Sequence, residues 1–171
     1  MAEVPREVDF RAVYEAQFDY VFHSLRRLGV PERDLEDLIH EVFLAFHRSD
    51  YDPARPLKPW LFGICFRIAS DYRRRAQHRY EVPAEAPDAL SLAPRADEEV
   101  EARERRQLVH LGLLAIELER RAVFVMHDLD GLSMPEIAQT LDAPLNTLYS
   151  RLRLARAEFA KAVRREKAKL K

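Results

Sequence analysis

Four polar side chains near the carboxyl end have the types and spacing of a helix that reads duplex DNA. Asn146, Tyr149, Ser150 and Arg153 recur at intervals of three and four residues, so on a helix they share one face. That face offers hydrogen-bonding groups and a fork-shaped cation, which suit base edges in the major groove. The apolar residues of the same stretch fall on another face, and they are Leu148, Leu152, Ala155 and Phe159.

The residues just before this helix predict a short partner helix and a tight turn. Ser133 followed by Glu136 has the spacing of a capping box at the start of MPEIAQTL. Asp142 tolerates the left-handed backbone of a helix end, and Pro144 prevents continuation. We expect the second helix to start near Asn146, a good capping residue. The pattern is that of a helix–turn–helix, although a simple helical hairpin with a polar surface has similar spacing.

The charge distribution favours the DNA interpretation of this pair. From Arg151 to the end there are nine Lys/Arg and two Glu, a local net charge of +7 in a chain of net charge −1. Such a concentration of cations suits phosphate binding. We define the duplex face as the residues predicted to contact DNA here: Asn146, Thr147, Tyr149, Ser150, Arg151, Arg153 and Arg156.

A second cluster lies on a helix predicted over 31–48. Asp37, His40, Glu41 and Leu44 are spaced three and four apart, opposite an apolar stripe. Two carboxylates and a histidine resemble metal ligands, but no second helix supplies the remaining ligands, so we predict no metal site. A solvated surface is the simpler interpretation, whereas the apolar Leu44 within it favours a protein interface. We call these four residues the acidic face.

The third cluster lies on a helix predicted from Trp60 to about His78. Leu61, Ile64, Ile68 and Tyr72 form its apolar stripe. Aromatic and basic side chains outside the stripe suit single-stranded nucleic acid, because bases stack on rings and phosphates pair with arginine. A solvated basic helix end explains the same residues equally well. We define the strand face as Phe66, Arg67, Ser70, Arg74 and Arg75.

Composition excludes several classes of protein. The chain of 171 residues has 47% hydrophobic and 33% charged residues with only 4 Gly, which indicates an all-α protein. No apolar run has membrane-spanning length, and the first residues lack an apolar signal core, so we expect a cytoplasmic protein. The single Cys65 excludes an internal disulfide. We find no nucleophile–base pair and no glycine-rich phosphate loop, and therefore predict neither enzymatic activity nor a cofactor.

The chain divides into two small helical domains. Helices are predicted over 9–28, 31–48, 60–78 and 120–129, in addition to the helix–turn–helix pair. The proline-rich stretch 81–96 lacks periodicity and has the composition of a flexible linker, and a further helix begins near Asp97. We predict a first domain over 1–80, a linker over 81–104 and a second domain over 105–171.

Three motifs in this order carry a resemblance to a known family. DLIHEVFLAFH, WLFGICFRIASDYRRR and GLSMPEIAQTLDAPLNTLYSRLRLAR resemble the extracytoplasmic-function group of bacterial sigma factors, with region 2 in the first domain and region 4 in the second. The resemblance implies a transcription initiation factor and not an enzyme. It implies that the factor directs core RNA polymerase to specific promoters, recognises their −35 and −10 elements and promotes DNA melting.

The resemblance also implies partners for each cluster. The acidic face would bind the β′ clamp helices of polymerase, the strand face the melted −10 element, and the duplex face the −35 element. The resemblance further implies that the protein contacts the polymerase β flap and an anti-sigma factor, which in some cases is membrane-bound. It implies no small-molecule substrate. His40 stands where the family usually has Gln, Phe66 and Arg67 where it has Arg and Asn, and Asn146 where it has Gly. A stand-alone helix–turn–helix regulator is the alternative function.

Overall fold

The computed structural model describes residues 9–79 and 97–169, which form seven α-helices and one π-helical turn. The helices are α1 Phe10–Arg27, α2 Glu32–His47, α3 Leu57–Arg79, α4 Asp97–Leu114, α5 Leu118–Phe124, α6 Met134–Leu141 and α7 Leu145–Lys169, and the π-helical turn Val125–Leu129 follows α5. The described residues contain no β-strand, so the predicted all-α class is confirmed. Of the predicted linker 81–104, residues 81–96 lie outside the described residues. The helix expected near Asp97 begins there, and residues 97–104 are its first turns.

The first three helices form the N-terminal domain around a shared apolar core. Asp9 caps α1 by accepting the backbone N–H groups of Arg11 and Ala12 at 3.0 and 3.3 Å. Gly29 ends the helix with φ +97°, a left-handed conformation that suits glycine. Helix α3 begins at Leu57, three residues before the predicted start at Trp60. The core contains fully buried large residues from all three helices, and they are Val21, Leu25, Val42, Phe43, Leu61 and Phe62.

The remaining helices form the C-terminal domain, and the predicted helix–turn–helix is present. Ser133 and Glu136 form the capping box at the start of α6, and Asp142 ends α6 with φ 48°. Helix α7 begins at Leu145, so the prediction that Asn146 caps it is wrong. The backbone N–H of Leu148 already bonds to the Pro144 carbonyl at 3.1 Å, which places Asn146 inside the first turn.

The helix predicted over 120–129 is interrupted by a change of helix type. Regular α-helix ends at Phe124, and Val125–Leu129 form a π-helical turn. The Asp130 backbone N–H donates to the Val125 carbonyl at 2.9 Å, five residues earlier. Such turns accommodate an extra residue, and this one changes the direction in which the following residues point.

The two domains pack directly against each other. Helix α1 contacts α4, and α3 contacts α6. The buried apolar residues of both domains belong to one continuous cluster. One close contact is at Gly63 of α3, where an added Cβ would lie 3.2 Å from the Thr140 Cγ2 atom of α6. A glycine within a helix is therefore explained here by close interdomain packing.

Candidate nucleic-acid interface

The duplex face projects outward from α7, opposite the core. Leu148, Leu152 and Ala155 are buried, and they fix the inward direction of the helix. Ser150 and Arg153 are exposed, and Tyr149 keeps 58% of its surface accessible although it is a large aromatic residue. Asn146 and Thr147 are also exposed at the start of the helix. The exposed groups can donate and accept hydrogen bonds at the helix N-terminal end, where a recognition helix contacts base edges.

Two cations of the duplex face are held by carboxylates of neighbouring elements. Arg156 donates from Nε and Nη2 to the two carboxylate oxygens of Asp128 at 2.8 and 2.7 Å. Hydrogen bonding to Arg156 holds the pKa of Asp128 below its ordinary value. Arg151 pairs with Glu119 of α5. Both guanidinium groups are thus held by carboxylates of neighbouring elements within the chain itself.

The acidic face lies on α2 with all four members exposed. Leu44 keeps 50% of its surface accessible, an unusual exposure for leucine beside carboxylates. His40 Nδ1 lies 3.1 Å from the Glu36 carbonyl oxygen one turn earlier. Arg75 Nη2 lies 3.7 Å from Glu41 Oε2, so the acidic face meets the end of the strand face at this pair.

The strand face lies along α3. Phe66 is half-buried against the core, whereas Arg67 is exposed. Ser70 Oγ donates to the Phe66 carbonyl at 2.8 Å, and Arg74 pairs with Asp71. The exposed cations and the partly exposed ring can meet phosphates and bases, as the sequence predicts.

A groove between the domains runs along the strand face. One wall consists of α3 residues that include Phe66, Arg67 and Arg74, and the opposite wall contains Glu117 and Glu119. The groove has a volume of about 640 Å³. A second hollow shares the lining residues Phe66 and Arg67 with the groove and is also lined by Trp60 and Gly63. Its opposite wall is formed by α6 and its C-terminal end and consists of Glu136, Gln139, Thr140, Leu141 and Asp142.

Arg121 is a buried structural residue that no sequence pattern marked. It is only 6% exposed, and its guanidinium donates to backbone carbonyls. Nη1 donates to Leu28 of the N-terminal domain at 2.8 Å, and Nη2 donates to Leu114 and Ile116 at 3.0 and 2.7 Å. Burial lowers the pKa of Arg121 to about 10, which keeps it charged at neutral pH. The sequence feature that could have indicated its burial is its position directly before the apolar run 122–126.

Asp130 makes a second link between the domains. Asp130 directly follows the π-helical turn. Its carboxylate accepts a hydrogen bond from Tyr20 Oη at 3.1 Å and forms an ion pair with Arg27 Nη1 at 3.1 Å. Burial and the adjacent Asp130 carboxylate raise the pKa of the Tyr20 phenol. We call Tyr20, Arg27, Leu28, Arg121 and Asp130 the interdomain latch.

Other kinds of site are absent from the part of the chain that the structure describes. Residues 9–79 and 97–169 contain no group of three or more His, Cys, Asp or Glu side chains that could hold a metal ion. Among the helices of the same two ranges, none has an apolar stretch of membrane-spanning length. Cys65 is buried, and burial raises the pKa of its thiol.

Both domains match known protein families. The family model for Sigma-70 region 2 matches residues 13–79, and the model for Sigma-70, region 4 matches residues 106–159. The chain is 30% identical over 142 residues to the RNA polymerase sigma factor NccH of Alcaligenes xylosoxydans xylosoxydans, covering 80% of this chain and 76% of NccH. It is 31% identical to the RNA polymerase sigma factor CnrH of Cupriavidus metallidurans, covering 80% and 77%.

More distant matches add a further sigma factor and a solved structure with the same fold. The ECF RNA polymerase sigma-E factor of Escherichia coli is 28% identical, over 82% of this chain and 79% of that one. Among solved structures, the sigma factor RpoE from Bartonella quintana, in complex with the anti-sigma factor NepR, has the same fold, with a TM-score of 0.67 at 17% identity. That match covers 91% of this chain and 97% of RpoE. The two domains, their order and these relatives establish that the chain belongs to the extracytoplasmic-function group of RNA polymerase sigma factors.

Proposed function

We propose that each of the three exposed faces of this sigma factor binds a separate component of the initiating complex. The acidic face would bind core polymerase, the strand face the melted −10 strand, and the duplex face the −35 element. The observation that carries the proposal is the position of the acidic and duplex faces, each projecting from a helix whose opposite side is buried. The exposed residues of both faces therefore lie outside the buried core.

The acidic face has the composition of a protein-binding surface. Its exposed Leu44 supplies apolar area, and Asp37 and Glu41 supply charge that a basic partner would neutralise. The Glu41–Arg75 pair is more than a third exposed at both ends, so a partner can compete for Glu41 at little cost to stability. We assign this face to the β′ clamp helices of polymerase.

The strand face combines the two groups that bind unpaired DNA. Phe66 presents part of its ring beside the exposed Arg67, and Arg74 and Arg75 extend the cationic surface along the same helix. Bases that have left the duplex can stack on the ring while the arginines hold phosphates. Duplex DNA gives Phe66 no base to stack on, so this face favours melted DNA.

The residues of the duplex face form two sets, one positioned to contact base edges and one positioned to contact phosphates. Tyr149, Ser150 and Arg153 lie on the outward surface near the N-terminal end of α7, where base edges come within reach. Arg151 and Arg156 lie toward the sides and are oriented by Glu119 and Asp128. We assign the first set to bases and the second to phosphates, with Asn146 and Thr147 completing the surface at the helix start.

Further partners follow from the same assignment. Such a factor acts in the cytoplasm, where polymerase and promoter DNA are, and performs no chemistry of its own. We propose a contact of the C-terminal domain with the polymerase β flap. We also propose control by an anti-sigma factor, because the structurally similar RpoE was solved in complex with the anti-sigma factor NepR.

A run-off assay on a randomised promoter library tests the proposal. The full chain with core polymerase should yield transcripts from templates that share both a −35 and a −10 sequence, and core polymerase alone should not. In parallel, the free chain should bind the selected duplexes weakly. Tight, sequence-specific binding by the free chain without any effect on transcription start would instead identify a stand-alone regulator.

A further inference from the structure

Helix α7 carries two large apolar side chains that stay exposed at its N-terminal end. Leu145, the first residue of the helix, keeps 44% of its surface accessible, and Tyr149 is exposed still further. The two residues are four positions apart, so their side chains are neighbours on consecutive turns of the helix. Leu148, which lies between them in the sequence, is fully buried. The core therefore takes up the adjacent apolar position and leaves this pair to the surface.

The apolar pair is continuous with the duplex face. Asn146 and Ser150, the residues that directly follow Leu145 and Tyr149, are both exposed. Arg153 lies four residues after Tyr149 and is also exposed, so it extends the same row by one more turn. Leu145 is not one of the residues that the sequence predicts to contact DNA. The structure adds it to the surface on which those residues lie.

The charges around the pair indicate what kind of partner it can contact. Residues 145–156 contain three arginines and no acidic residue, so this part of α7 attracts a polyanion. Two apolar side chains among these cations are complementary to a polyanion that carries small apolar groups. Duplex DNA is such a partner, because thymine presents its C5-methyl group in the major groove. The polar edges of the other bases offer no methyl group there.

We propose that Leu145 and Tyr149 contact thymine C5-methyl groups of the −35 element and thereby determine where this chain requires A·T pairs. The inference rests on the proposed binding of the duplex face to that element, and it adds Leu145 as a specificity-determining residue. A thymine methyl group against the pair leaves water together with the apolar side chains. A G·C pair at the same place would put polar atoms against those side chains and leave them without hydrogen-bond partners.

Removal of single methyl groups from the DNA tests the proposal with the unaltered chain. The full chain with core polymerase is bound to a promoter obtained from the run-off selection. Each thymine of its −35 element is replaced in turn by deoxyuridine, which lacks only the C5-methyl group. Replacement at one or two positions should weaken binding about fourfold, the effect of burying one methyl group. Unchanged binding at every position, or a selected −35 element without A·T pairs, would overturn the proposal.

Variants of the chain then locate the contact on the protein. Leu145→Ala and Tyr149→Ala should each weaken binding to the thymine template and abolish the response to deoxyuridine at one position. Leu154→Ala is the matched control, because Leu154 is also 44% exposed but lies nine residues, about two and a half turns, beyond Leu145 on the other side of α7. The control should keep the fourfold response. A full response in both variants of the pair, or its loss in the control, would overturn the proposal.

One further variant separates this inference from the function on which it rests. Arg153→Ala with Arg156→Ala removes two exposed cations of the duplex face and shows whether α7 contacts the −35 duplex. Weaker binding by this double variant, together with no response to deoxyuridine, would overturn the thymine contact and leave the proposed function standing. Normal binding by the double variant and no response to deoxyuridine would overturn both.

Discussion

Arg156 of α7 binds Asp128 of the π-helical turn with two parallel hydrogen bonds of 2.8 and 2.7 Å. The bidentate geometry fixes the direction of the guanidinium fork while Arg156 keeps 54% of its side-chain surface exposed. Because the pair is exposed on the arginine side, it contributes little to folding stability. In the proposed function the pair acts on DNA binding, since Asp128 both orients the cation and offsets part of its charge.

Arg153 and Arg156 should differ in how their loss affects −35 binding. Arg153→Ala should relax the preference at one base pair, because a bidentate contact to guanine supplies about 1–3 kcal/mol of discrimination. Arg156→Ala should weaken binding about equally on all sequences and reduce the salt slope by about one. A promoter-library selection with each holoenzyme measures both effects. If both variants keep the parental −35 preference, Arg153 does not read a base.

Reversing the charge of the acidic face should abolish polymerase binding. Asp37→Arg with Glu41→Arg places two cations on an exposed surface, so helix content and thermal stability should stay near those of the parent. Co-purification with core polymerase measures the effect. The matched control, Asp19→Arg with Glu104→Arg, makes the same charge change at exposed positions elsewhere and should bind normally. Undiminished co-purification of the first variant would contradict the assignment.

Loss of Arg67 should slow promoter opening and spare polymerase binding. Its side chain is exposed beside Phe66, so Arg67→Ala removes a strand contact without disturbing the core. Open-complex formation should become slower and more sensitive to salt. A template with a pre-melted −10 region should restore part of the rate. Arg48→Ala, which removes an exposed cation at the end of α2, serves as the control. Normal opening of a duplex promoter by the Arg67→Ala variant would show that Arg67 does not contact the melted strand.

Gly112→Ala should destabilise the C-terminal domain although alanine favours helix. An added Cβ would lie 2.6 Å from Phe159 Cε2, and the ring already packs on Phe124 with centroids 5.0 Å apart. Overpacking typically costs about 1–3 kcal/mol, which exceeds the gain in helix propensity of about 1 kcal/mol. Thermal unfolding should show a decrease of a few degrees. Gly63→Ala, with its nearest atom at 3.2 Å, should have a smaller effect. A melting temperature at or above the parental one would show that the ring can move aside.

The packing of the two domains against each other should weaken below about pH 6.5, the ordinary pKa of histidine. Burial first, and then the charges of Arg26 from α1 and Arg121 from α5, lower the pKa of His110 below its ordinary value of 6.5. The packed chain therefore favours neutral imidazole, and its stability is full above pH 6.5 and decreases as the pH falls toward the lowered pKa. The radius of gyration should stay constant above about pH 6.5 and increase as the pH falls below it, and His110→Gln should reduce this change. A pH-independent radius in the parent would contradict the prediction.

Local features of the fold were predictable from sequence because they depend on neighbouring residues. The Ser133–Glu136 capping box and the left-handed Asp142 follow from residue types a few positions apart. The buried stripe of α7 follows from helical periodicity, and so does the exposure of Ser150 and Arg153. These are also the features that determine which side chains face outward.

Interdomain features were not predictable in the same way. Arg121 looks like an ordinary helix arginine until α1 supplies the Leu28 carbonyl 93 residues away in sequence. Gly63 weakens a helix when the sequence is considered alone, and only the approach of Thr140 explains it. The start of α7 was misplaced by one residue because Asn146 and Pro144 both favour a helix start, and the backbone bond from Leu148 decides between them.

The π-helical turn takes up one more residue than a regular helical turn would. Deleting the exposed Leu129 should therefore let the segment from Val125 to Asp130 relax to regular α-helix while Asp130 keeps its direction toward Tyr20 and Arg27. Homologous chains that differ by one residue at this position should keep the same contact between α1 and the residue that follows the turn.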